Sequence, residues 1–263
     1  MKLHHWAFCL LTGTTAAAGA MGCGDSSSDS AGSTADASAG SQADGSPGPQ
    51  ADASPGSQAD ASAMDSMNFF VTSRGAGGGG ELGGLDGADA FCGSLAGAVS
   101  PALGAKTWHA YLSTSTVNAR DRIGTGPWTN AAGVVIASTL EQLHDQLPDD
   151  AALNATWPIG TYSIALDEQG MEVPADPLAH DILTGSSTDG TVEADATCND
   201  WTSQETTDIA QVGHSNRDGG GRDPSWNATH TVGCAEPTPG MDFEDGTVSS
   251  GGGRGSIYCF AVP

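Results

Sequence analysis

The chain has 263 residues, of which 32 are acidic and only 8 are basic, so its formal net charge is −24 at pH 7. Such a surface repels phosphates and sulfates, which argues against nucleic acid and heparin as partners. The composition changes sharply after residue 66, and only the 197 residues beyond that point carry enough apolar side chains to build a core. The sequence therefore predicts one sizeable domain.

The first 22 residues have the composition of an export signal. A positively charged start is followed by an apolar stretch and by small residues, and the whole is too short and too interrupted to span a membrane. The run Ala-Met-Gly-Cys at 20–23 resembles the bacterial lipobox, in which cleavage exposes a cysteine that carries a diacylglycerol. We expect a signal peptide at 1–22, removed together with Cys9, and lipid anchoring through Cys23 in the outer membrane. The alternative is an ordinary signal peptide whose cleavage site happens to end near a cysteine.

Residues 23–66 have the composition of a disordered stalk. Small and polar residues predominate, seven aspartates are present, and the segment has no aromatic residue, lysine or arginine. An eight-residue polar repeat begins at Ser41, Pro49 and Ser57, and such units have no hydrophobic face to stack. Calcium binding by the repeated aspartates is the alternative, but their spacing does not bring two carboxylates reliably onto one ion. We expect a flexible linker with a span on the order of 35 Å.

Residues 67–263 are expected to form one α+β domain with many loops. The pattern predicts a strand at 68–73, a helix from Leu85 that turns Cys92 toward the core, and a half-buried strand that ends near Leu112 with Tyr111 on its outer face. A second helix is predicted from Leu140, Leu143 and Leu147, and short apolar runs follow at 162–166, 182–183, 209–212 and 257–262.

Four cysteines lie in this domain, at Cys92, Cys198, Cys234 and Cys259. An even number in an exported chain predicts two disulfides, although spacing alone allows three pairings. A zinc site built from cysteines is not expected, because the two nearest cysteines are 25 residues apart.

An ordered set of motifs resembles the endostatin domain and its bacterial lipoprotein relatives over most of residues 68–262. The set comprises glycine-rich 77–84 leading to Gly-Ala-Asp-Ala-Phe-Cys at 87–92, Tyr-Leu-Ser at 111–113, Cys-Asn-Asp-Trp at 198–201 and Ile-Tyr-Cys at 257–259. The resemblance implies a C-type-lectin-like fold with long loops. It also implies bridges that join Cys92 to Cys259 and Cys198 to Cys234. The arginine patches and the N-terminal histidine cluster with which endostatin binds heparin and zinc have no counterpart here, so neither property is expected.

Two local patterns suggest catalysis but are better explained otherwise. Residues 75–80 match GxGxxG, but the following helix starts too late for a dinucleotide site, which favours a plain glycine loop. The histidines are scattered, without a metalloprotease motif, and the run Gly-His-Ser-Asn-Arg-Asp at 213–218 does not by itself make a catalytic triad. We predict surface histidines at His109, His144, His180, His214 and His230.

Acidic and aromatic residues provide the remaining candidate sites. Loop carboxylates could bind calcium, but the calcium motifs of C-type lectins are absent, which favours solvated acidic loops at Asp189, Glu193, Asp195, Asp200, Asp242, Glu244 and Asp245. Tryptophans could stack on sugars, but most are expected to lie in the core; the set is Trp108, Trp128, Trp157, Trp201 and Trp226. Trp226, beside a glycine-rich run, is the one candidate ligand-binding residue.

The sequence thus predicts a noncatalytic binding or adhesion module on a surface-exposed lipoprotein. Its expected ligand is a glycan or an extracellular protein, and no cofactor is expected. One alternative is a secreted hydrolase that uses a histidine and an acidic residue in the loops, with His214 as the residue to test. The other is a structural envelope protein without a specific ligand.

Overall fold

We analysed a computed structural model, which describes residues 62–144, 165–216 and 225–263. The chain divides into two compact units, Met1–Ala51 and Asp52–Pro263, and all described residues belong to the second. The predicted signal peptide, Cys23 and the stalk up to residue 61 lie outside the described residues. Among the residues that are described, no helix has both the length and the apolar character needed to cross a membrane.

The folded region begins earlier than Met67, which corrects the predicted end of the stalk. Residues 62–66 are helical, and we call them α1. The side chain of Met64 packs against the core. The Asp65 carboxylate accepts a hydrogen bond from the Ser100 hydroxyl at 2.7 Å. The backbone carbonyl of Asp65 accepts another from the Lys106 ammonium group at 2.9 Å. One apolar side chain and two polar contacts are enough to attach this otherwise stalk-like segment to the domain.

Helix α2, Gly84–Val99, is the longest helix of the described residues and begins within one residue of the predicted start. Gly83 precedes it with a positive φ, a conformation that glycine adopts without a steric penalty. The buried side chains Ala88, Cys92, Leu95 and Ala96 share one face at helical spacing. Shorter helices among the described residues are α3 (Pro101–Gly104), the 3₁₀ helix Ala119–Asp121, α4 (Leu140–His144) and the single turn Cys198–Trp201.

The main sheet has six strands and is organised around the strand that comes last in the sequence. Strand β8 pairs with β1 and β2 in antiparallel fashion and with β5 in parallel fashion; β5 then continues to β6 and β7. The six strands of the main sheet are β1 (Phe69–Val71), β2 (Thr107–Ala110), β5 (Asp181–Leu183), β6 (Ile209–His214), β7 (His230–Gly233) and β8 (Gly253–Val262). A separate hairpin joins β3 (Trp128–Thr129) to β4 (Val135–Ala137).

Both faces of the sheet are covered by apolar side chains. On one face, Phe70, Ile257 and Cys259 join a core cluster that includes the buried residues of α2. On the other, Phe69 and Tyr258 join a second cluster that is rich in aromatic rings. Successive residues of β1 and β8 thus alternate between two cores, as the period of a strand requires.

The two disulfides follow the pairing that the resemblance implies. Cys92 on α2 is bridged to Cys259 on β8, and Cys198 is bridged to Cys234. The domain is therefore a mixed α/β fold with two disulfides and long connections, as the sequence predicts.

The glycine-rich loop packs directly against the second disulfide. A Cβ atom at Gly79 would overlap the Cys234 carbonyl oxygen, and one at Gly80 would overlap the Cys198 sulfur. The amide of Gly80 donates to the Cys234 carbonyl at 2.7 Å. This loop needs glycine because backbone must approach a disulfide closely, which gives the GxGxxG match a structural explanation.

The outer face predicted for the strand at 108–112, with His109 and Tyr111 exposed, is partly wrong. Tyr111 is fully buried, although the alternation places it outside with His109. The regular strand β2 ends at Ala110, so the pattern no longer applies beyond it. Of the second predicted helix, only Leu140–His144 is described, and Leu147 lies outside the described residues.

Candidate histidine–aspartate centre

Three histidines and one aspartate meet at one end of strands β5, β6 and β7. Asp181 is the first residue of β5 and follows His180; His214 is the last residue of β6; and His230 is the first residue of β7. Antiparallel pairing places Asp181 directly opposite His214. The sheet register therefore brings together side chains that are far apart in sequence, and we call these four residues the His–Asp centre.

The three imidazoles converge on a single carboxylate oxygen. The distances from Asp181 Oδ1 to the Nε2 atoms are 3.4 Å for His180, 3.0 Å for His214 and 3.3 Å for His230. Potential ligand atoms of His180, Asp181 and His214 all lie within 4.8 Å of one another. The centre is buried, since Asp181 is 1% exposed, His180 7% and His214 4%.

Hydrogen bonds on the far side of two rings fix which nitrogen faces the carboxylate. Nδ1 of His180 lies 3.1 Å from the amide oxygen of Asn216, and Nδ1 of His230 lies 3.2 Å from the carbonyl oxygen of Thr231. Because an oxygen of this kind can only accept, each Nδ1 carries the hydrogen and donates it. In the neutral imidazoles Nε2 is then a lone-pair donor directed into the centre, the arrangement found around protein-bound metals.

The electrostatics of the centre call for a positive partner. Burial alone would raise the pKa of Asp181, but hydrogen bonds from His214 and His230, and the positive charge of these imidazoles in their protonated form, together outweigh burial and lower the pKa to about 2. The carboxylate is therefore ionised at neutral pH. Because Asp181 and two inward-facing Nε2 atoms can all act as acceptors, a cation satisfies them best, either as protons on the imidazoles or as a metal ion.

Gly251 keeps space beside the carboxylate. A Cβ atom there would overlap Asp181 Oδ2 and His230 Cε1, and it would lie 2.9 Å from His230 Nε2. The backbone continues into β8, and Gly252 accepts a hydrogen bond from the Asp181 amide at 3.3 Å. Because Gly251 has no side chain, Asp181 and His230 can occupy the positions that they have in the centre.

The prediction of surface histidines is wrong for three of the five. His180 and His214 are buried, and the His230 side chain is only 11% exposed. His144 is half-buried and its Nε2 lies 2.7 Å from the Tyr111 hydroxyl, while the side chain of His109 retains 33% exposure. Sequence spacing could not bring the three together, because only strand pairing does so.

Trp226 is not a ligand platform. Its indole is fully buried in the aromatic core cluster, and its Nε1 donates to the carbonyl of Leu143 at 2.9 Å. The rings of Tyr111 and Tyr258 pack against it at centroid distances of 4.8 and 5.2 Å. The glycine-rich run before Trp226 therefore did not indicate that the indole is exposed. Trp108, Trp128 and Trp201 are also buried, as the sequence predicts, and Trp157 lies outside the described residues.

The loop carboxylates singled out as calcium candidates bond mainly to groups in nearby loops. Asp189 accepts from Thr191, Glu193 from Ser187, and Glu244 from Thr238. Asp200 accepts from both the amide and the hydroxyl of Ser115, at 2.7 and 2.6 Å.

An open groove of about 510 Å³ lies beside this last contact. Asp195, Asp200 and Asp208 contribute its carboxylates, Ser115 and Thr197 contribute hydroxyls, and Ile209 contributes an apolar side chain. It is a second surface at which a ligand could contact the domain.

Asp181 was not among the site residues predicted from the sequence. The available signal was positional: His180-Asp181 precedes the apolar pair 182–183, His214 follows the run 209–212, and His230 opens another short apolar segment. Polar residues at the ends of neighbouring strands come together if the strand order is known. Without that order, the signal cannot be distinguished from ordinary loop histidines.

No protein-family model matches the chain, and no curated protein matches it.

Proposed function

We propose that this protein is a noncatalytic binding module of the bacterial envelope and that it binds a divalent transition-metal ion at the His–Asp centre. The observation that carries the proposal is the convergence of three imidazole nitrogens on one buried, ionised carboxylate oxygen. Imidazole nitrogen suits Zn²⁺, Cu²⁺, Ni²⁺ and Co²⁺, whereas Ca²⁺ and Mg²⁺ prefer oxygen ligands. The expected ligand therefore changes from a glycan or protein to a metal ion.

The setting of this module is part of the proposal. Lipid on Cys23 would anchor the chain in the outer membrane, and the stalk would hold the domain away from the headgroups. The endostatin-type variety of the C-type-lectin-like fold is proposed for the domain on the strength of the sequence motifs and the two nested disulfides. Exported proteins meet metal ions without the buffering of the cytoplasm, so a buried site displayed in this way is suited to capture or retention.

Metal binding by chelator-stripped full-length protein tests the proposal. Calorimetry with Zn²⁺, Ni²⁺, Ca²⁺ and Mg²⁺ should show one tight site for the first two ions only. Asp181→Asn removes the charge but keeps the shape, and it should weaken Zn²⁺ binding at least about 10-fold, since the ligand itself is altered. Asp195→Asn, at an exposed aspartate, is the matched control and should bind like the parent. Equal affinities for both variants, or no binding of any divalent transition metal, would refute the proposal.

A hydrolase is the rival, and one contact favours it. His214 Nε2 lies 3.0 Å from Asp181 Oδ1, which is the acid–base half of a catalytic triad. The neighbouring hydroxyl of Ser215 is buried, however, and it has no hydrogen-bond partner in the part of the chain that the structure describes. Ser215 is therefore not activated by His214. Turnover of ester or peptide substrates that His214→Ala abolishes would establish the rival.

Glycan adhesion is the remaining candidate, and the open groove is the observation in its favour. Its hydroxyls and carboxylates are the groups that hydrogen-bond sugar hydroxyls, and Ile209 offers an apolar contact. A glycan array should then show binding that Asp208→Ala reduces and Asp181→Asn leaves unchanged. Signals no higher than those of an unrelated acidic lipoprotein would eliminate this candidate.

A further inference from the structure

We infer that the His–Asp centre holds one zinc-class ion in a closed, four-coordinate shell made by Asp181 and by Nε2 of His180, His214 and His230. This inference rests on the proposed metal binding and adds the coordination number and the fourth ligand. The proposed shell has no open position for a substrate. The ion would therefore have a structural role and would link the strands. It does not act on a bound molecule.

The measured distances match the edges of a small tetrahedron. Bonds of about 2.0 Å, as Zn²⁺ forms with nitrogen and oxygen, place neighbouring ligand atoms about 3.3 Å apart. The three distances that meet at Asp181 Oδ1 are 3.4, 3.0 and 3.3 Å. Three of the six edges of the shell are thus already close to their required length.

The imidazole rings must adjust when the ion binds. The imidazoles of His180 and His214 are stacked, with centroids 4.0 Å apart and planes 17° apart. His230 meets His214 nearly edge-on, at 73°. To direct both lone pairs at one ion, the stacked rings must tilt toward a common point, whereas His230 already approaches from a different direction. His230 lies outside the group of ligand atoms that are within 4.8 Å of one another, so its ring must also move closer to those of His180 and His214.

Burial and connectivity determine what a bound ion does. The four ligands come from the ends of three strands, and Gly251 fits against the side that faces β8. Four protein ligands fill a tetrahedral shell, whereas catalytic zinc sites keep one position for water or substrate. An ion coordinated by these residues would cross-link β5, β6 and β7 at one end of the sheet.

Cobalt spectroscopy on chelator-stripped full-length protein tests the coordination number. Four-coordinate Co²⁺ gives intense visible d–d bands, and five- or six-coordinate Co²⁺ gives weak ones. We expect one Co²⁺ per chain with intense bands that Zn²⁺ abolishes by displacement. Stoichiometric uptake with weak bands would overturn the four-coordinate shell and leave the proposed metal binding intact. No uptake of Co²⁺ or Zn²⁺ would overturn both.

Substitution of His230 tests the fourth ligand. His230→Ala should retain Co²⁺ but shift the d–d bands and lose at least about 10-fold in affinity, because water replaces an imidazole in the shell. His230→Cys should add a thiolate-to-cobalt charge-transfer band, which only direct coordination produces. His109→Ala, at a part-exposed histidine on β2, is the control. An unchanged spectrum in His230→Ala, or no charge-transfer band in a folded His230→Cys protein that binds Co²⁺, would remove His230 from the shell.

Discussion

Gly251 shows how a single missing side chain can determine whether a binding centre exists. Its Cα is placed so that any Cβ atom would meet both Asp181 and His230. Neither of these residues would have to change for the centre to be lost. A glycine in this position is as important to the geometry as the side chains of the His–Asp centre.

Replacement of Gly251 by alanine should impair metal binding without altering any ligand. The added methyl group would displace Asp181 or His230, and overpacking of this kind typically costs about 1–3 kcal/mol. We expect Gly251→Ala to weaken Zn²⁺ binding at least about 10-fold by calorimetry, with an unchanged circular dichroism spectrum. Gly93→Ala is the control, because a Cβ atom at Gly93 on α2 meets nothing within 4 Å. Equal affinity in both variants would contradict this role for Gly251.

Trp226 should matter for stability, because its indole is enclosed by aromatic neighbours. Truncation of a buried tryptophan costs about 3–5 kcal/mol, since it removes apolar contacts and leaves a cavity. Trp226→Ala should lower the free energy of unfolding by this amount in urea denaturation. Phe243→Ala, at a ring that is 54% exposed, should change it by less than about 0.5 kcal/mol. A loss below about 1 kcal/mol for Trp226→Ala would show that the indole is not a core residue.

Individual side chains were the part of the molecule that the sequence predicted least well. Cys92 was predictable, because helical spacing places it on the apolar face of α2. The burial of Tyr111 and His214 was not, because it depends on how separate segments pack. The position of Asp181 depends on its pairing with a strand about 30 residues away, for which a single sequence carries no signal.

At the scale of elements, each disulfide links segments that are distant in the sequence. One joins α2 to β8 across 167 residues, and the other closes a loop of 36 residues. Loop-closure entropy makes the longer constraint more stabilising, at about 5 kcal/mol against about 4 kcal/mol.

Paired serine substitutions should reproduce that order. We expect Cys92→Ser with Cys259→Ser to lower the free energy of unfolding by about 5 kcal/mol, and Cys198→Ser with Cys234→Ser to lower it by about 4 kcal/mol. Urea denaturation of the full-length proteins under non-reducing conditions measures both. A clearly larger loss for the shorter loop would mean that contacts in the native state outweigh chain entropy.

The elements themselves were largely predictable from periodicity. Strand β1, helix α2 and strands β5, β6 and β8 all lie where apolar patterns place them, within a few residues. Their order in the sheet was not predictable, because β8 pairs with strands from both halves of the domain. The turn Cys198–Trp201 was also missed. All four of its residues have positive φ, a conformation that propensity gives no reason to expect for non-glycine residues.

At the scale of the whole molecule, Cys23 determines where the domain acts in the proposed scheme. Cys23→Ala should abolish labelling with radioactive palmitate and shift the protein from the detergent phase to the aqueous phase on Triton X-114 partition, because the acyl chains supply the membrane affinity. Cys9→Ala changes a cysteine of the predicted signal peptide and should leave labelling and partition unchanged. Label retained in Cys23→Ala would place the anchor elsewhere.

If the protein is exported, as proposed, the position of β8 bears on how it can mature. A translocated chain emerges from its N-terminus, so β1, β2 and β5 reach the far side of the membrane before the strand that joins them. Until 253–262 has crossed, Cys92 has no Cys259 to pair with, and Cys198 is the first other cysteine of the domain to arrive. Mispairing between these two is the expected early error, and a thiol isomerase would be needed to undo it. A chain truncated before β8 would lack the strand that joins β1, β2 and β5, and we expect it to be degraded.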